Sequence, residues 1–385
     1  MQNSYIINRL VLNNYRSYEK LRIDTNSVKN IIITGDNGAG KTNILEAISM
    51  FSMSGPFRKA KLAQLGKLES SNPVFTISSQ IKNDDENITL GLSYNYGKKQ
   101  NLISDEDEII EKRQLVANDN NISVGDLQNF IRIIWITPFM DRLFSEATGE
   151  RRKFLDNLIS NFYPFYGVYL NQYSNLLKQR AKVLKGNSKD TKWLDAIETE
   201  IVEKGVAIAA LRIEFEEKLN NILSQSNNAF PKIQIQIDGI IEEKLKTQKA
   251  IEVEEFFKKS LLDNRELFKF SFSPPVEGVH RSDFHAINID KNISADQTST
   301  GEQKCTVISI ILAYANMLYL YFNKYPLILI DEAPAHLDEI KTLELFNELE
   351  KLPTQVWFTG ILKKDFEFFV NKNSLFIEIE NSSIK

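Results

Sequence analysis

Residues 35–42 constrain the fold of this chain more than any other part of its sequence. They read Gly-Asp-Asn-Gly-Ala-Gly-Lys-Thr, with an apolar run at 28–34 before them and a helical pattern at 43–50 after them. A strand, a glycine-rich loop and a helix in this order form a P-loop, whose N–H groups turn toward phosphate at the positive end of a helix. The alternative is a chance glycine-rich turn, and both the flanks and the Lys-Thr pair argue against it.

A P-loop predicts ATP as the ligand, together with Mg²⁺. We expect Lys41 to reach the β- and γ-phosphates and to act in catalysis, and the Thr42 hydroxyl to bind Mg²⁺. The remaining loop residues are expected to surround the phosphates; they are Gly35, Asp36, Asn37, Gly38, Ala39 and Gly40.

A second motif lies far along the chain, where four apolar residues at 327–330 precede Asp331 and Glu332. This is a Walker B pattern. A buried strand would deliver Asp331 to the metal, and Glu332 would polarise the attacking water as a general base. Apolar residues followed by Asp-Glu are common in proteins. The pattern indicates Walker B here because the same chain also contains a P-loop.

A third motif is Ser-Thr-Gly-Glu-Gln at residues 299–303, which resembles the signature motif of ABC-type ATPases. In that superfamily the motif serves the nucleotide of the other subunit. Ser299 would cap a helix, and the N–H groups around Gly301 would bind phosphate oxygens. The alternative is a simple capping box between Ser299 and Glu302, and both interpretations are compatible.

The residues after Walker B, Ala-His-Leu-Asp at 335–338, resemble the D-loop of the same superfamily, which runs along a dimer interface. Under the alternative interpretation, His336 and Asp338 are solvated turn residues.

Composition limits the class of protein. A chain of 385 residues favours two domains or lobes over a single core. The net charge of −4 does not indicate a globally basic nucleic-acid binder, so DNA contact requires a local basic surface. The single cysteine, Cys305, allows no intramolecular disulfide and fits a reducing cytoplasm. The apolar run at 307–322 is shorter than a bilayer span, so we predict a buried helix and no membrane association.

Hydrophobic periodicity predicts an α/β fold in three parts. Residues 1–140 form the strand-rich N-terminal part of an ATPase lobe with Walker A, with turns expected at 83–87, 96–99 and 104–108. Residues 141–268 form an inserted helical lobe, whose two long apolar stripes predict an antiparallel helix pair. Residues 269–385 complete the ATPase lobe with the signature motif and Walker B.

Six further stretches resemble the RecF family, bacterial recombination-repair ATPases related to the SMC family. They lie at residues 14–18 (Asn-Tyr-Arg-Ser-Tyr), 55–58 (Gly-Pro-Phe-Arg), 137–144, 151–156, 176–180 and 278–283. The resemblance implies a P-loop ABC/SMC-type ATPase head with slow ATP hydrolysis, forming an ATP-dependent homodimer that clamps DNA in the cytoplasm. It also implies work with RecR and RecO to load RecA at gaps and stalled forks.

The same resemblance assigns roles to single residues. It places Arg16 beside the nucleotide, whereas the residues alone favour an exposed turn arginine. It makes His280 and Arg281 candidates for the nucleotide site or an interface, although Val279 stands where the family usually has proline. The ABC switch histidine is absent, because Thr359 and Gly360 occupy its place. No Q-loop glutamine is assigned, and Gln80 and Gln100 are candidates for it.

The DNA surface is predicted from lysines and arginines that would neutralise phosphates without reading bases. The candidates are Arg58, Lys59 and Lys61 near the P-loop, Lys98 and Lys99 on a hairpin, and Arg151, Arg152, Lys178, Arg180, Lys182 and Lys185 on the helical lobe. The alternative is a solvated or structural role, as at a lobe junction for Arg151 and Arg152. Without interleaved aromatic residues, we expect contact with double-stranded DNA or single-strand/double-strand junctions.

Two other functions compete with this prediction. One is a transporter ATPase subunit, against which the separation of about 290 residues between Lys41 and Asp331 argues. The other is a DNA-binding adaptor with a degenerate ATP site, against which the intact Lys41, Asp331 and Glu332 argue.

Overall fold

The computed structural model describes residues 3–58, 60, 62–66, 74–83, 86–99, 108–186, 191–267 and 276–385. At residues 63, 96–99, 108–112 and 266 it describes the backbone only. The chain divides into two compact units. The first comprises Met1–Asp141 and Ala315–Lys385, and the second comprises Arg142–Tyr314.

The strands are β1 (Tyr5–Tyr15), β2 (Tyr18–Asp24), β3 (Asn30–Thr34), β4 (Phe75–Asn83), β5 (Glu86–Lys99), β6 (Glu108–Ala117), β7 (Asn120–Asn121), β8 (Ile133–Ile136), β9 (Ile233–Asp238), β10 (Asp283–Asn288), β11 (Ile293–Ser294), β12 (Leu327–Ile330), β13 (Val356–Gly360), β14 (Ser374–Glu380) and β15 (Ser383–Ile384). The helices are α1 (Lys41–Ser49), α2 (Leu127–Phe130), α3 (Thr148–Phe162), α4 (Tyr166–Lys185), α5 (Thr191–Gln225), α6 (Ile240–Leu245), α7 (Ala250–Leu267), α8 (Thr300–Phe322) and α9 (Glu339–Lys351).

A largely parallel sheet in the first unit has the strand order β15-β14-β3-β13-β12-β8. Every residue of β3, β8, β12 and β13 is buried, as is typical of a parallel sheet covered on both faces. Because β3, β13 and β12 are neighbouring parallel strands, their carboxyl ends lie at one edge of the sheet. Ligands of open α/β sheets bind at that edge.

An antiparallel sheet in the same unit has the order β2-β1-β4-β5-β6-β7. The alternation predicted at residues 74–81 and 87–96 is confirmed in β4 and β5. The turn predicted at 96–99 is wrong, because β5 continues to Lys99 and pairs there with β6. The turn predicted at 104–108 falls at 104–107 outside the described residues, and Glu108 begins β6, a strand that the sequence reading did not predict.

The second unit contains the predicted helix pair as α4 and α5, with the first stripe divided into α3 and α4 around Pro164. The second unit also extends beyond residue 268, which the sequence predicts as the end of the helical lobe. The extension arises because β10 pairs with β9, and because the Tyr314 hydroxyl donates to the Leu158 carbonyl. Residues 276–314 thus lie in the second unit and not in the ATPase lobe.

Helix α8 is long and apolar enough to cross a membrane by length and composition alone. However, 72% of its most apolar stretch is buried inside the protein, which is typical of a core helix. The prediction of a buried helix is confirmed by this burial.

Candidate nucleotide-binding site

The loop between β3 and α1 requires glycine at several positions. Gly35, Gly38 and Gly40 have φ of 145°, 83° and 108°, a region that other residues rarely adopt. A Cβ on Gly35 would lie 2.2 Å from the Ile379 carbonyl oxygen, and one on Gly40 would lie 2.7 Å from the Tyr18 hydroxyl oxygen. The loop is therefore a cradle whose curvature favours glycine at these three positions, and close contacts also exclude a side chain at Gly35 and Gly40.

Lys41 directs its ammonium group back into this cradle. Its Nζ donates to the carbonyl oxygens of Gly35 and Asp36, both at 2.7 Å. Burial lowers the pKa of Lys41, and the nearby carboxylates of Glu332, Asp331 and Asp36 oppose that effect. A positive charge at the mouth of an N–H-lined loop is suited to phosphate oxygens.

Asp331 brings the two distant motifs together at the edge of the parallel sheet. Its Oδ1 accepts hydrogen bonds from the Thr42 hydroxyl at 2.9 Å and from the Thr359 hydroxyl at 2.7 Å. The residue is 5% exposed, and its backbone N–H donates to Ile136 of the neighbouring strand. A hydroxyl and a carboxylate meeting at the end of the P-loop form an oxygen donor set that fits Mg²⁺.

Glu332 follows in a strained backbone conformation, with φ of 52°. Its N–H donates to the Thr359 hydroxyl oxygen at 2.8 Å, and the N–H of Ala333 donates to the Thr359 carbonyl at 3.1 Å. The side chain is exposed at the same sheet edge. Strain of this kind, held by neighbouring hydrogen bonds, is found preferentially at functional sites.

Thr359 is the residue of this site that the sequence reading missed. In the sequence, Thr359 is distinguished only by standing in the place of a switch histidine, yet its buried hydroxyl contacts both Asp331 and Glu332. A signal was available, because a polar residue near the carboxyl end of a strand beside Walker B lies at the ligand-binding edge.

The turn between β1 and β2 contacts the P-loop and α1. Arg16 forms a two-pronged ion pair with the buried carboxylate of Glu46, at 2.6 and 2.8 Å. Asn43 donates to the Ser17 hydroxyl at 3.2 Å, and Tyr18 packs against Gly40. The structure thus gives Arg16 a carboxylate partner within α1, and its contact with a nucleotide stays a prediction.

The signature segment lies in the second unit, where it forms the predicted capping box. The Glu302 carboxylate accepts from the Ser299 N–H at 3.1 Å and from its hydroxyl at 2.9 Å. Lys291 and then Ser299 lower the pKa of Glu302 to about 2. Ser299 is exposed, and Gly301 lies in the first turn of α8. Their contact with a nucleotide stays a prediction.

The segment resembling a D-loop has a local structural role as well. Asp338 caps α9 by accepting from the Lys341 N–H at 2.7 Å. His336 is exposed, and its Nδ1 lies 2.7 Å from a carboxylate oxygen of the buried Asp141. The solvated-turn interpretation therefore describes Asp338 well, and a role at an interface stays a prediction.

The structure brings few of the predicted DNA-binding residues together. Arg58 is exposed, Lys59 and Lys61 lie outside the described residues, and Lys98 and Lys99 are the last two residues of β5 and do not form the predicted turn.

On the helical lobe the DNA prediction is wrong for Arg180, which is 2% exposed and pairs with Glu198 at 2.8 Å. Arg151 pairs with Asp283 at 2.5 Å, and Arg152 donates to the Ser282 carbonyl at 2.8 Å. These contacts within the second unit give both residues the structural role that was the alternative to DNA binding.

The remaining candidates from the resemblance are dispersed. His280 contacts the Tyr173 hydroxyl at 2.9 Å, and burial together with nearby arginines lowers its pKa to about 4. Arg281 is exposed. Gln80 lies on an exposed position of β4, and Gln100 falls outside the described residues.

Comparison with known proteins identifies the family. A family model described as the RecF/RecN/SMC N terminal domain matches residues 6–376. The DNA replication and repair protein RecF of Mesorhizobium japonicum is 32% identical over 92% of this chain and 91% of its own length. RecF of Rickettsia rickettsii is 33% identical over 97% of this chain and 99% of its own.

A solved structure of the recombination mediator protein RecF in the RecFOR pathway, as RecF-ATPrS, has the same fold. It superposes with a TM-score of 0.83 at 23% identity, covering all of this chain and 98% of its own. The fold and the site together define a P-loop ATPase head of the SMC class, as predicted. Within that class, the chain belongs to the RecF family.

The cradle geometry predicts unequal effects for two glycine substitutions. Gly35→Ala should lower the free energy of unfolding by more than 2 kcal/mol, because a backbone carbonyl cannot move aside for the new Cβ. Gly38→Ala is the control, because its Cβ would meet nothing within 4 Å and only the backbone strain of about 1 kcal/mol remains. Urea unfolding of both variants measures the difference, and equal losses would contradict the proposed crowding at Gly35.

Proposed function

We propose that this protein is an ATP-dependent DNA-binding repair ATPase that dimerises on DNA with slow ATP hydrolysis. With RecO and RecR it would promote loading of RecA at gaps and stalled replication forks in the cytoplasm. The proposed ATPase activity rests on one observation: the hydroxyls of Thr42 and Thr359 both donate hydrogen bonds to Asp331 beside the P-loop. Family membership supports the repair function, since curated relatives are named DNA replication and repair protein RecF.

The residues of the first unit would divide the chemistry among them. The N–H groups of residues 35–40 and the Lys41 ammonium bind and orient the phosphates, with Lys41 exchanging its two carbonyl acceptors for phosphate oxygens. Glu332 accepts a proton from the attacking water, and its backbone is fixed by Thr359.

Thr42 and Asp331 would hold Mg²⁺, whose positive charge neutralises the phosphate oxygens. Their hydroxyl and carboxylate are already in contact, so little rearrangement of the protein is needed to present both oxygens. Thr359 keeps the Asp331 carboxylate oriented, as outer hydrogen-bond partners of metal ligands commonly do.

A second copy of the chain would complete the site. Ser299 and Gly301 of that copy would offer the positive end of α8 to the nucleotide, which links dimer affinity to ATP occupancy. Exposed Ser299 supports this role. Its hydroxyl would exchange Glu302 for a phosphate oxygen, since the capping box is a local and reversible interaction.

The hydrolysis step generates a second prediction. Glu332→Gln should retain ATP binding and lose about 100-fold in turnover, because an amide cannot accept the proton of water. Glu339→Gln, an exposed residue in the first turn of α9, is the matched control and should keep full turnover. Steady-state phosphate release and ATP titration measure the two quantities. Unchanged turnover in Glu332→Gln would remove the general-base role and favour the adaptor alternative.

The dimer generates a third prediction. In sedimentation with Mg-ATP and a gapped duplex, the wild type should form a dimer that retains DNA, and Ser299→Arg should remain monomeric. Thr191→Arg places the same bulk and charge at the exposed start of another helix of the second unit, and it should dimerise normally. If Ser299→Arg also dimerises, the signature segment does not act across two copies.

A further inference from the structure

The carboxylate of Glu302 joins two groups at the start of α8. Its Oε2 accepts hydrogen bonds from the N–H of Ser299 at 3.1 Å and from the Ser299 hydroxyl at 2.9 Å. Its other oxygen, Oε1, accepts from the ammonium group of Lys291 at 2.6 Å. Lys291 is therefore linked to the serine of the signature segment through a single carboxylate.

The fold determines where Lys291 lies, because the residue belongs to the tight turn between β10 and β11. Its N–H donates to the side-chain oxygen of the buried Asn288 at 3.1 Å. The N–H of Ile289 donates to the Lys232 carbonyl at 2.9 Å, and Asn292 turns the chain with φ of 50°. Backbone hydrogen bonds thus hold the turn that presents Lys291 to α8.

The negative charge of Glu302 conflicts with the function proposed for Ser299. Hydrogen bonds from Lys291 and then from Ser299 lower the pKa of Glu302 to about 2, so this carboxylate is ionised at neutral pH. A phosphate oxygen that binds Ser299 must displace this carboxylate, which stays in the first turn of the same helix. Two anions so close together repel each other unless a cation neutralises one of them.

Lys291 is placed to supply that cation. It holds the oxygen of Glu302 that Ser299 does not use, so the carboxylate can leave Ser299 without losing its counter-ion. With Glu302 neutralised in this way, the positive end of α8 faces the incoming phosphate. The side chains of Lys291 and Glu302 are 55% and 45% exposed, and an ion pair this exposed contributes little to folding stability.

We propose that Lys291 is a positioning residue of the signature segment. It retains the Glu302 carboxylate when Ser299 exchanges that carboxylate for a phosphate of the nucleotide on a second copy of the chain. Lys291 thereby favours the ATP-bound dimer without binding the nucleotide of its own copy. The inference rests on the proposed function, because it requires the ATP-dependent dimer.

Sedimentation velocity of the full chain in Mg-ATP tests the role of the lysine. Lys291→Met should dimerise about tenfold more weakly than the wild type, and Lys291→Arg should dimerise normally because it keeps the charge. Lys153→Met is the matched control. Lys153 is 58% exposed and pairs with Glu150 at 2.9 Å in the first turn of another helix of the second unit, so its loss should leave dimerisation unchanged.

A second substitution separates positioning from a structural role. In the double variant Lys291→Met/Glu302→Gln, dimer affinity should return to the wild-type value, because no carboxylate remains to be neutralised. Glutamine also serves at this position of a capping box, so Glu302→Gln preserves the start of α8. A lysine that only supports the turn would leave the double variant as weak as Lys291→Met.

Titration of ATP at a protein concentration that keeps the wild type monomeric completes the test. The ATP affinity of Lys291→Met should equal that of the wild type, and a loss there would overturn the inference. Wild-type dimerisation by Lys291→Met, or a double variant that does not recover, would also overturn it while the proposed dimer stands. A wild type that stays monomeric in Mg-ATP would contradict both the proposed dimer and the role of Lys291.

Discussion

The hydrogen bonds that converge on one carboxylate oxygen of Asp331 hold the functional edge of this protein together. Thr42 comes from the P-loop helix, Thr359 comes from β13, and Asp331 itself follows β12. Three segments far apart in the sequence are therefore linked through a single buried acceptor. Because a buried carboxylate is costly without donors, any change at one of the three positions affects the other two.

The P-loop is supported from the opposite side by the turn between β1 and β2. The ion pair of Arg16 with Glu46 and the packing of Tyr18 on Gly40 connect that turn to the start of α1. The antiparallel sheet, which carries this turn, is thus in direct contact with the P-loop and α1. A change in the position of α1 on nucleotide binding would reach the sheet through these contacts.

The sequence predicted what depends on local pattern. Glycine placement and apolar periodicity predicted the P-loop, the Walker B strand and the helix pair. It did not predict contacts set by tertiary pairing, such as Thr359 with Asp331 or Arg16 with Glu46. Strand β6 was missed because its Glu, Lys and Arg residues mask the alternation, and the unit boundary was misplaced because the pairing of β10 with β9 is not local.

The most direct test is the Mg²⁺ dependence of ATP affinity in Thr359→Val, measured by calorimetry with and without Mg²⁺. Thr354→Val is the control, since Thr354 is equally buried near the start of the same strand and donates to the Pro326 carbonyl. If Thr359 orients Asp331, the gain in affinity from Mg²⁺ should fall about tenfold in Thr359→Val alone. A gain equal to that of the wild type would contradict the central role given to these hydrogen bonds.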